Sequence, residues 1–543
     1  MKLLLLQPPI QDYYDTELRL QPIGLCYLKA AVQRHLPEVK VVIRDFHAGH
    51  GRRTVAVPQQ FRYLRAYYPV KDLSPFSLFH AYFHFGASFE EVASCVVREK
   101  PDLIGISSLF STYQREVIRC CREIKKRIDV PILIGGNHPT AFPEAVLADP
   151  AVDFIIRGEG ERPLVSLIEA LCHGEDFGTV PNLGFKRDGE SVLNELDASY
   201  PIDELPAPDM SDLNPGFYTS RRRAVAAVVT SRGCPYRCDF CSVHKTFGNT
   251  YRRRSNQSIL EEITLRYSNG YRVFNFEDDN LAYRRAETEQ LLGAIIGRFP
   301  HGSLELFAMN GLCYFGLDPE LLKLMKEAGF RQLNLSLVST DPGVCAAHHR
   351  PCDIAAFGHT VREGFRLGMR VIGYQILGLP GESLDSMART LAFLAQLPLL
   401  IGASVFYLAP GSPLWEKERA GPEQCGSARL TALATHSDLV SRDDLYTLLI
   451  TARIINFLKS LPLDRVSGEV SLDQALKGTA DDRSRLGARL LRVLLAEGRL
   501  LAWDGRRDHQ LDRFRPEVFE RVWSQIGVIA TLQGGGIATG RVG

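Results

Sequence analysis

The sequence has no apolar run of about 18 residues, so no membrane-spanning helix is expected. Met1 to Leu6 is apolar but runs straight into Gln7-Pro8-Pro9. That is too short for the core of a secretion signal, and no cleavage site follows. Net charge is nearly absent at +1. Nothing asks for a polyanionic partner, and nucleic acid is not expected. Arg221-Arg222-Arg223 and Arg252-Arg253-Arg254 are short basic runs, read as solvated loop charge or as contacts to cofactor carboxylates or phosphates. Cysteine is too sparse for a disulfide framework, at 12 in 543 residues. Cys26, Cys95 and Cys172 sit in apolar contexts, and Cys120-Cys121 reads as two positions of one helix. This suits a reducing, cytoplasmic setting. What remains is ordinary globular composition, 45% hydrophobic and 23% charged, enough for two to four domains with sizeable cores.

The most informative stretch is Ser231-Arg232-Gly233-Cys234-Pro235-Tyr236-Arg237-Cys238-Asp239-Phe240-Cys241. Cys234, Cys238 and Cys241 are spaced C-x3-C-x2-C after an apolar run, Ala224 to Val229, that reads as a buried strand. Gly233 and Pro235 force a loop. A disulfide would leave one thiol over. Structural zinc needs four donors, and His244 is the nearest extra candidate. A four-iron cluster held by three thiolates keeps one iron open to a substrate. The motif resembles the radical S-adenosylmethionine (SAM) superfamily, whose members bind SAM on that open iron. The resemblance implies that Phe240 lies near the adenine.

The first 175 residues alternate strands with helices, which predicts a doubly wound parallel sheet. Strands are expected at 2–6, 41–43, 103–107, 132–134 and 152–156. Helices are expected from Pro22-Ile23-Gly24-Leu25 to about Arg34, and at 114–127, 140–148 and 161–172. Ser107-Ser108, Gly135-Gly136-Asn137-His138-Pro139-Thr140 and Arg157-Gly158-Glu159-Gly160-Glu161 follow strands, where such sheets bind ligands. These loops resemble those of cobalamin-dependent (class B) radical SAM enzymes. The resemblance implies cobalamin contacts from Pro22, Gly24, Ser107, Ser108, Gly135, Gly136, Asn137, His138, Gly158, Glu159 and Gly160. The D-x-H-x-x-G of histidine-ligating cobalamin proteins is absent. Asp45-Phe46-His47-Ala48-Gly49 is one residue short and follows the second strand, so His47 reads as a loop residue. His138 likewise reads as a hydrogen-bonding loop residue.

Residues 46–88 form an insertion rich in aromatics, among them Phe61, Tyr63, Tyr67, Tyr68, Phe76 and Tyr82. It is expected to be a helical lid on the N-terminal domain, or else a wall for an apolar ligand. Residues 176–223 read as a connector. From 224 to 417 a second alternation begins, with strands at 224–230, 272–277, 304–309, 332–338, 371–377 and 401–408. Helices are expected at 256–268, 284–298, 318–328, 354–367 and 383–396. This predicts a partial (β/α)6 barrel whose site gathers at the strand ends. Glu277-Asp278-Asp279-Asn280 follows the second strand, with one of Asp278 and Asp279 expected to cap a helix and the other to face the site. The family resemblance implies cofactor contacts from Asp278, Asp279, Asn280, Arg252, Arg254, Ser336, Gly378, Gly381 and Glu382. Gly378-Leu379-Pro380-Gly381-Glu382 matches the family's turn near the SAM adenine. One departure lies at Ser336-Leu337-Val338-Ser339, where relatives place a SAM-contacting Glu; Asp341 is the nearest acid beyond it. His348-His349 read as loop or substrate-pocket residues, and Cys313, Cys345 and Cys352 as reduced loop thiols, with an extra cluster or hydrogen-atom donation as the alternative.

Residues 418–543 read as a small, mainly helical domain, with helices at 428–436, 442–459, 472–478, 482–497 and 516–526. A hairpin is expected after 498, and a disordered tail around Gly534-Gly535-Gly536. The family resemblance implies a [4Fe-4S] cluster, SAM and cobalamin as cofactors. It implies methylation of an unactivated carbon on a small-molecule substrate, with a flavodoxin or ferredoxin as low-potential electron donor; the aromatic insertion points to an apolar substrate. A non-methylating radical cyclase or rearrangement enzyme is the alternative within the class. Outside it stand a non-catalytic cobalamin/iron–sulfur sensor and a zinc-binding interaction protein.

Overall fold

The computed structural model describes residues 1–14, 21–197, 201–463 and 468–539. Two compact units emerge: Met1–Val55 with Tyr82–Asp279 and Leu408–Ala428, and Ala56–Ala81 with Asn280–Tyr407 and Arg429–Gly543.

The first unit is built on a seven-stranded sheet. Its order is Glu190–Leu193, Leu183–Arg187, Phe154–Ile156, Ile132–Gly135, Leu103–Ser107, Lys2–Gln7 and Lys40–Asp45. The last five strands run parallel, as the alternation predicts. The four leucines of the first strand explain why it lies inside the sheet. Leu3 and Leu5 enter the core under helices Ile23–His35 and Glu161–His173. Leu4 and Leu6 enter the core under helices Phe89–Glu99 and Gln114–Lys125. Each such side chain contributes about 1.5–3 kcal/mol by burial.

Three details differ from the sequence reading. Residues 183–193, read as connector, form a hairpin that pairs antiparallel with Phe154–Ile156 and extends the sheet. Helix Phe89–Glu99 was not anticipated, although Ser88 and Glu91 give it a full capping box. The helix expected at 140–148 is two short ones, Asn137–Ala141 and Pro143–Leu147, because Pro143 pushes Phe142 out of helical geometry. The first two strands of the second alternation, Arg223–Val228 and Val273–Phe276, also belong to this unit and pair in parallel.

The second unit holds the other four strands of that alternation. Gln332–Val338, Arg370–Leu377 and Leu400–Val405 form a parallel sheet. Beside it lies Glu305–Phe307, whose Leu306 bridges to Phe330, and Leu312 further on bridges to Leu335 of the sheet. Helices Arg285–Arg298, Pro319–Ala328, Ile354–Arg366 and Leu384–Ala395 fall within about a residue of expectation at most ends. Helix Arg442–Lys459 lies on the edge strand, where Asn456 bonds both the N–H and the carbonyl of Ile401.

Two expectations are overturned here. Residues 56–81 of the insertion are not a helical lid on the N-terminal domain; they pack within this second unit. Tyr67 meets Tyr446 edge-on at 5.3 Å and donates to Asp443 at 2.6 Å. Phe76 meets Phe457 at 5.5 Å. Burial of these rings drives the placement. Their only helix is the 3-10 segment Gln59–Ala66. The glycine-rich stretch near the C-terminus is ordered: Gly536–Ala538 pairs with Glu469–Ser471 and Val528–Ala530. Residues 428–436 contain only the 3-10 turn Leu430–Ala432.

Candidate active site

In the first unit the cysteine loop is fixed from below by two acids. Asp278 is fully buried and accepts from Thr230 Oγ1 at 2.5 Å and from Ser231 Oγ. Asp279 accepts the Gly233 N–H at 3.1 Å. Burial pushes the Asp279 carboxyl up to about 6. Neither acid caps the following helix, whose N-cap is Arg284 with no side-chain bond. Both therefore serve the loop, which corrects the expected split of roles. Gly233 has φ +83°, and a Cβ there would lie 2.3 Å from the Thr250 carbonyl. Only glycine lets the chain turn at that point.

Ser231–Arg232 pairs antiparallel with Arg252–Arg253, so the loop is the tip of a small ribbon. Cys238 is buried, while Cys234, Cys241 and Phe240 are half-buried. Burial, followed by the neighbouring Cys238, Asp279 and Cys234, pushes the Cys241 thiol up to about 11. A bound iron would reverse this, since metal ligation deprotonates thiols. Among the described residues no three His, Cys, Asp or Glu side chains converge as a single-ion site requires. A four-iron cluster has no such need, because each thiolate takes a different iron. The donor set fits that cluster better than zinc.

The arginines around the loop are taken up by carboxylates. Arg252 holds Glu159 through two contacts, 2.6 and 3.1 Å. Arg232 holds Glu161 at 2.5 Å and Glu159 at 3.1 Å. Burial alone would raise the Glu161 carboxyl, but Arg232 holds it below its ordinary value. Arg254 donates to Glu262 at 2.5 Å, to the Val229 carbonyl at 3.0 Å and to Ser258 Oγ at 2.9 Å. Arg252, Arg254 and Glu159 were expected at cofactors. In this structure they occupy paired, largely buried positions, because a buried charge must find its counter-charge.

The polar strand ends of the seven-stranded sheet come together. Ser108 N–H donates to the Gly135 carbonyl at 2.7 Å, and His138 N–H donates to the Ser108 carbonyl at 3.1 Å. A Cβ at Gly136 would lie 2.6 Å from that carbonyl. Gly158 N–H donates to Thr140 Oγ1 at 2.8 Å. Asn137 Oδ1 accepts from Thr246 Oγ1 at 2.9 Å. Thr140 ends the Gly135–Thr140 loop already singled out, whereas Thr246 was not anticipated and no motif marks it. Ser107 is half-buried, and Gly135 and Gly24 have open space around a Cβ position. Gly160 lies against Leu28, and Pro22 caps helix Ile23–His35. His47 is buried and its N–H donates to Asp45, consistent with a loop role. Among the described residues, the buried Ser108 Oγ and His138 Nδ1 have no protein hydrogen-bond partner. Burial lowers the His138 imidazole to about 4, so it is neutral near pH 7. Orphaned polar atoms beside bare glycine backbone fit a large ligand rich in amides, as cobalamin is.

In the second unit the Gly378–Glu382 turn is bolted to the end of strand Gln332–Val338. Gly378 and Gly381 have φ +85° and +80°. Glu382 is fully buried and accepts from Ser339 Oγ at 2.7 Å and Ser386 Oγ at 3.2 Å. Burial pushes its carboxyl up to about 7. It was expected at SAM, but its side chain is an internal brace. His348 Nε2 meets the Pro380 carbonyl at 2.9 Å. Val338, where the family resemblance implies a Glu, sits at φ +78° within a bulge. That is a strained position for a β-branched residue. Ser336 is half-buried, and its carbonyl accepts from Arg350 at 2.8 Å. Asn280 is buried, its carbonyl accepting the Tyr283 N–H at 3.3 Å.

Comparison with known proteins bears on this geometry. Residues 228–394 match the radical SAM superfamily model, and residues 76–168 match the B12 binding domain model. The chain is 26% identical to a cytidylyl-2-hydroxyethylphosphonate methyltransferase of Streptomyces wedmorensis, over 75% of this chain and 79% of that one. It is 30% identical to an anaerobic magnesium-protoporphyrin IX monomethyl ester cyclase of Rubrivivax gelatinosus, over 56% of each. In fold it is similar to the cobalamin-dependent SAM radical enzyme OxsB, with TM-score 0.62 and 13% identity, over 96% of this chain and 78% of that one. With a thiol-bearing loop in one matched domain and a B12-type loop cluster in the other, the chain belongs to the cobalamin-dependent radical SAM enzymes.

Proposed function

We propose that this enzyme transfers a methyl group to an unactivated carbon of a small molecule. The observation that carries the reading is the pairing of a B12 binding domain with a radical SAM domain in one chain. When bound, the cluster with SAM supplies a 5′-deoxyadenosyl radical, and cobalamin supplies a transferable methyl group. The chain's own residues place and shield these groups. Cys234, Cys238 and Cys241 would hold the cluster, on a loop that Asp278 and Asp279 keep in shape. Ser108 and His138 would hydrogen-bond cobalamin. The Gly378–Glu382 turn would line SAM with backbone rather than with the Glu382 carboxylate, which is internal. Its glycines permit that close approach.

A low-potential donor such as flavodoxin or ferredoxin would reduce the cluster. The setting proposed is cytoplasmic, because cysteine is too sparse for a disulfide framework. No helix among the described residues is long and apolar enough to cross a membrane. Rings such as Tyr67 and Phe76 of the insertion are buried in packing, so they do not argue for an apolar substrate. Radical cyclisation is the second reading, favoured by the identity to the magnesium-protoporphyrin cyclase. The test is anaerobic reconstitution with iron, sulfide and cobalamin, then reduction in the presence of methyl-deuterated SAM and an extract of candidate small molecules. Release of 5′-deoxyadenosine with a deuterated methyl in product is expected. No 5′-deoxyadenosine with intact cluster and SAM overturns the enzyme reading. A product without the labelled methyl overturns methylation and favours cyclisation.

A further inference from the structure

Cys345 and Cys352 lie just beyond strand Gln332–Val338 in the second unit. Asp341 caps the short helix Pro342–Ala347 by accepting from the Gly343 and Val344 N–H groups. The chain then reverses. Arg350 N–H donates to the Cys345 carbonyl at 2.8 Å, and His349 sits at φ +52°. The reversal brings Cys352 back over Cys345. Both thiols donate to one acceptor, the Ser339 carbonyl, at 3.5 and 3.8 Å. Cys345 is buried and Cys352 partly exposed. Two thiols that converge on one carbonyl oxygen at a chain reversal are placed for a disulfide. Among the described residues no third metal donor joins them.

We propose that Cys345 and Cys352 form a reversible disulfide that acts on the Gly378–Glu382 turn, with a small-molecule disulfide such as oxidised glutathione as the oxidant. Cys352 is the entry thiol because it reaches solvent. After losing its proton to solvent, it attacks one sulfur of the oxidant. The oxidant's S–S bond breaks, a mixed disulfide forms at Cys352, and one glutathione thiolate leaves. Cys345 then loses its proton and attacks the Cys352 sulfur, expelling the second glutathione thiolate. The protein gives up two protons and two electrons, and the oxidant becomes two thiols. Burial raises the Cys345 thiol to about 12, which makes it the later of the two to react.

Ser339 transmits the change. Its carbonyl loses both S–H donors, while its hydroxyl holds Glu382 at 2.7 Å and accepts the Asp341 N–H at 3.2 Å. Ser339 is fully buried, so no water replaces the lost donors without local movement. That movement reaches the turn that lines SAM, a step that rests on the proposed function.

The test uses anaerobic holoenzyme loaded with cluster and cobalamin, treated with oxidised glutathione, then alkylated and peptide-mapped. Expected is loss of two alkylatable thiols, with Cys345 and Cys352 cross-linked and restored by dithiothreitol. Cys345→Ser should stop at a glutathione adduct on Cys352. Alkylation of both cysteines in treated wild type, or a lasting glutathione adduct on Cys352, overturns the disulfide. Binding of labelled SAM should weaken about fivefold or more in the cross-linked protein and stay constant in treated Cys352→Ser. Unchanged SAM affinity in cross-linked protein overturns the coupling to the turn. Absence of SAM binding even in reduced protein would instead refute the proposed function, and the peptide map would still decide the disulfide.

Discussion

Glu382→Gln offers a sharp test of how the turn is built. The wild-type carboxyl is raised from 4.5 to about 7, first by burial and further by the charge of Asp341, against hydrogen bonds from Ser339 and Ser386. The folded chain therefore holds this proton more tightly than the unfolded chain. The contribution to stability is complete below about pH 4.5 and is lost as pH rises through about 7. At 1.36 kcal/mol per tenfold, the whole window corresponds to about 3 kcal/mol. About 2 kcal/mol of it falls between about pH 5.5 and 8. Glutamine keeps the shape and the acceptor for both serines but cannot ionise. Hydrogen exchange of the amides in helix Leu384–Ala395, corrected for intrinsic rates, reads the local opening. Wild type should lose about 2 kcal/mol of protection across that range, and Glu382→Gln should stay nearly flat. At about pH 8 the variant should be the better protected of the two. Parallel pH profiles for the two proteins would refute the reading of Glu382 as a buried, proton-bearing brace.

Other perturbations probe other parts of the molecule. Gly233→Ala places a Cβ 2.3 Å from the Thr250 carbonyl, so reconstituted protein should hold less iron than wild type; equal iron content would sink the claim. Gly136→Ala places one 2.6 Å from the Ser108 carbonyl, and cobalamin retained through gel filtration should fall, as visible absorbance will show. Arg254→Ala leaves Glu262 buried and unpaired, and should destabilise by about 3–5 kcal/mol in thermal unfolding. Arg285→Ala, which breaks exposed pairs with Glu289 and Asp318, should cost no more than about 1 kcal/mol. Similar shifts for the two arginine variants would contradict the burial argument.

Much of the fold was legible because periodicity is local. The Leu3 to Leu6 run marked a strand buried on both faces, and it lies inside the sheet between Leu103–Ser107 and Lys40–Asp45. The helix read at 442–459 has those same ends in the structure, with Ser441 as its cap. Legibility failed where partners are distant. The aromatic rings of residues 56–81 look alike whether they face a ligand, a neighbouring domain or helix Arg442–Lys459. The hairpin at 183–193 lacks a strong strand pattern and is fixed by pairing with Phe154–Ile156.

The site divides in the same way. By itself the sequence determined that three thiols follow a strand on a loop broken by glycine and proline, because spacing and turn chemistry are written along the chain. It also set the glycines of the two alternations at strand ends. Only the tertiary structure decided which charged residues are free for chemistry. Arg252, Arg254, Glu159 and Glu382 carry the family pattern, yet each is held by a partner from 4 to 93 residues away in sequence. Burial makes an unpaired charge costly, so folding pairs these groups with whatever the chain brings near, and that depends on long-range packing that no local motif records.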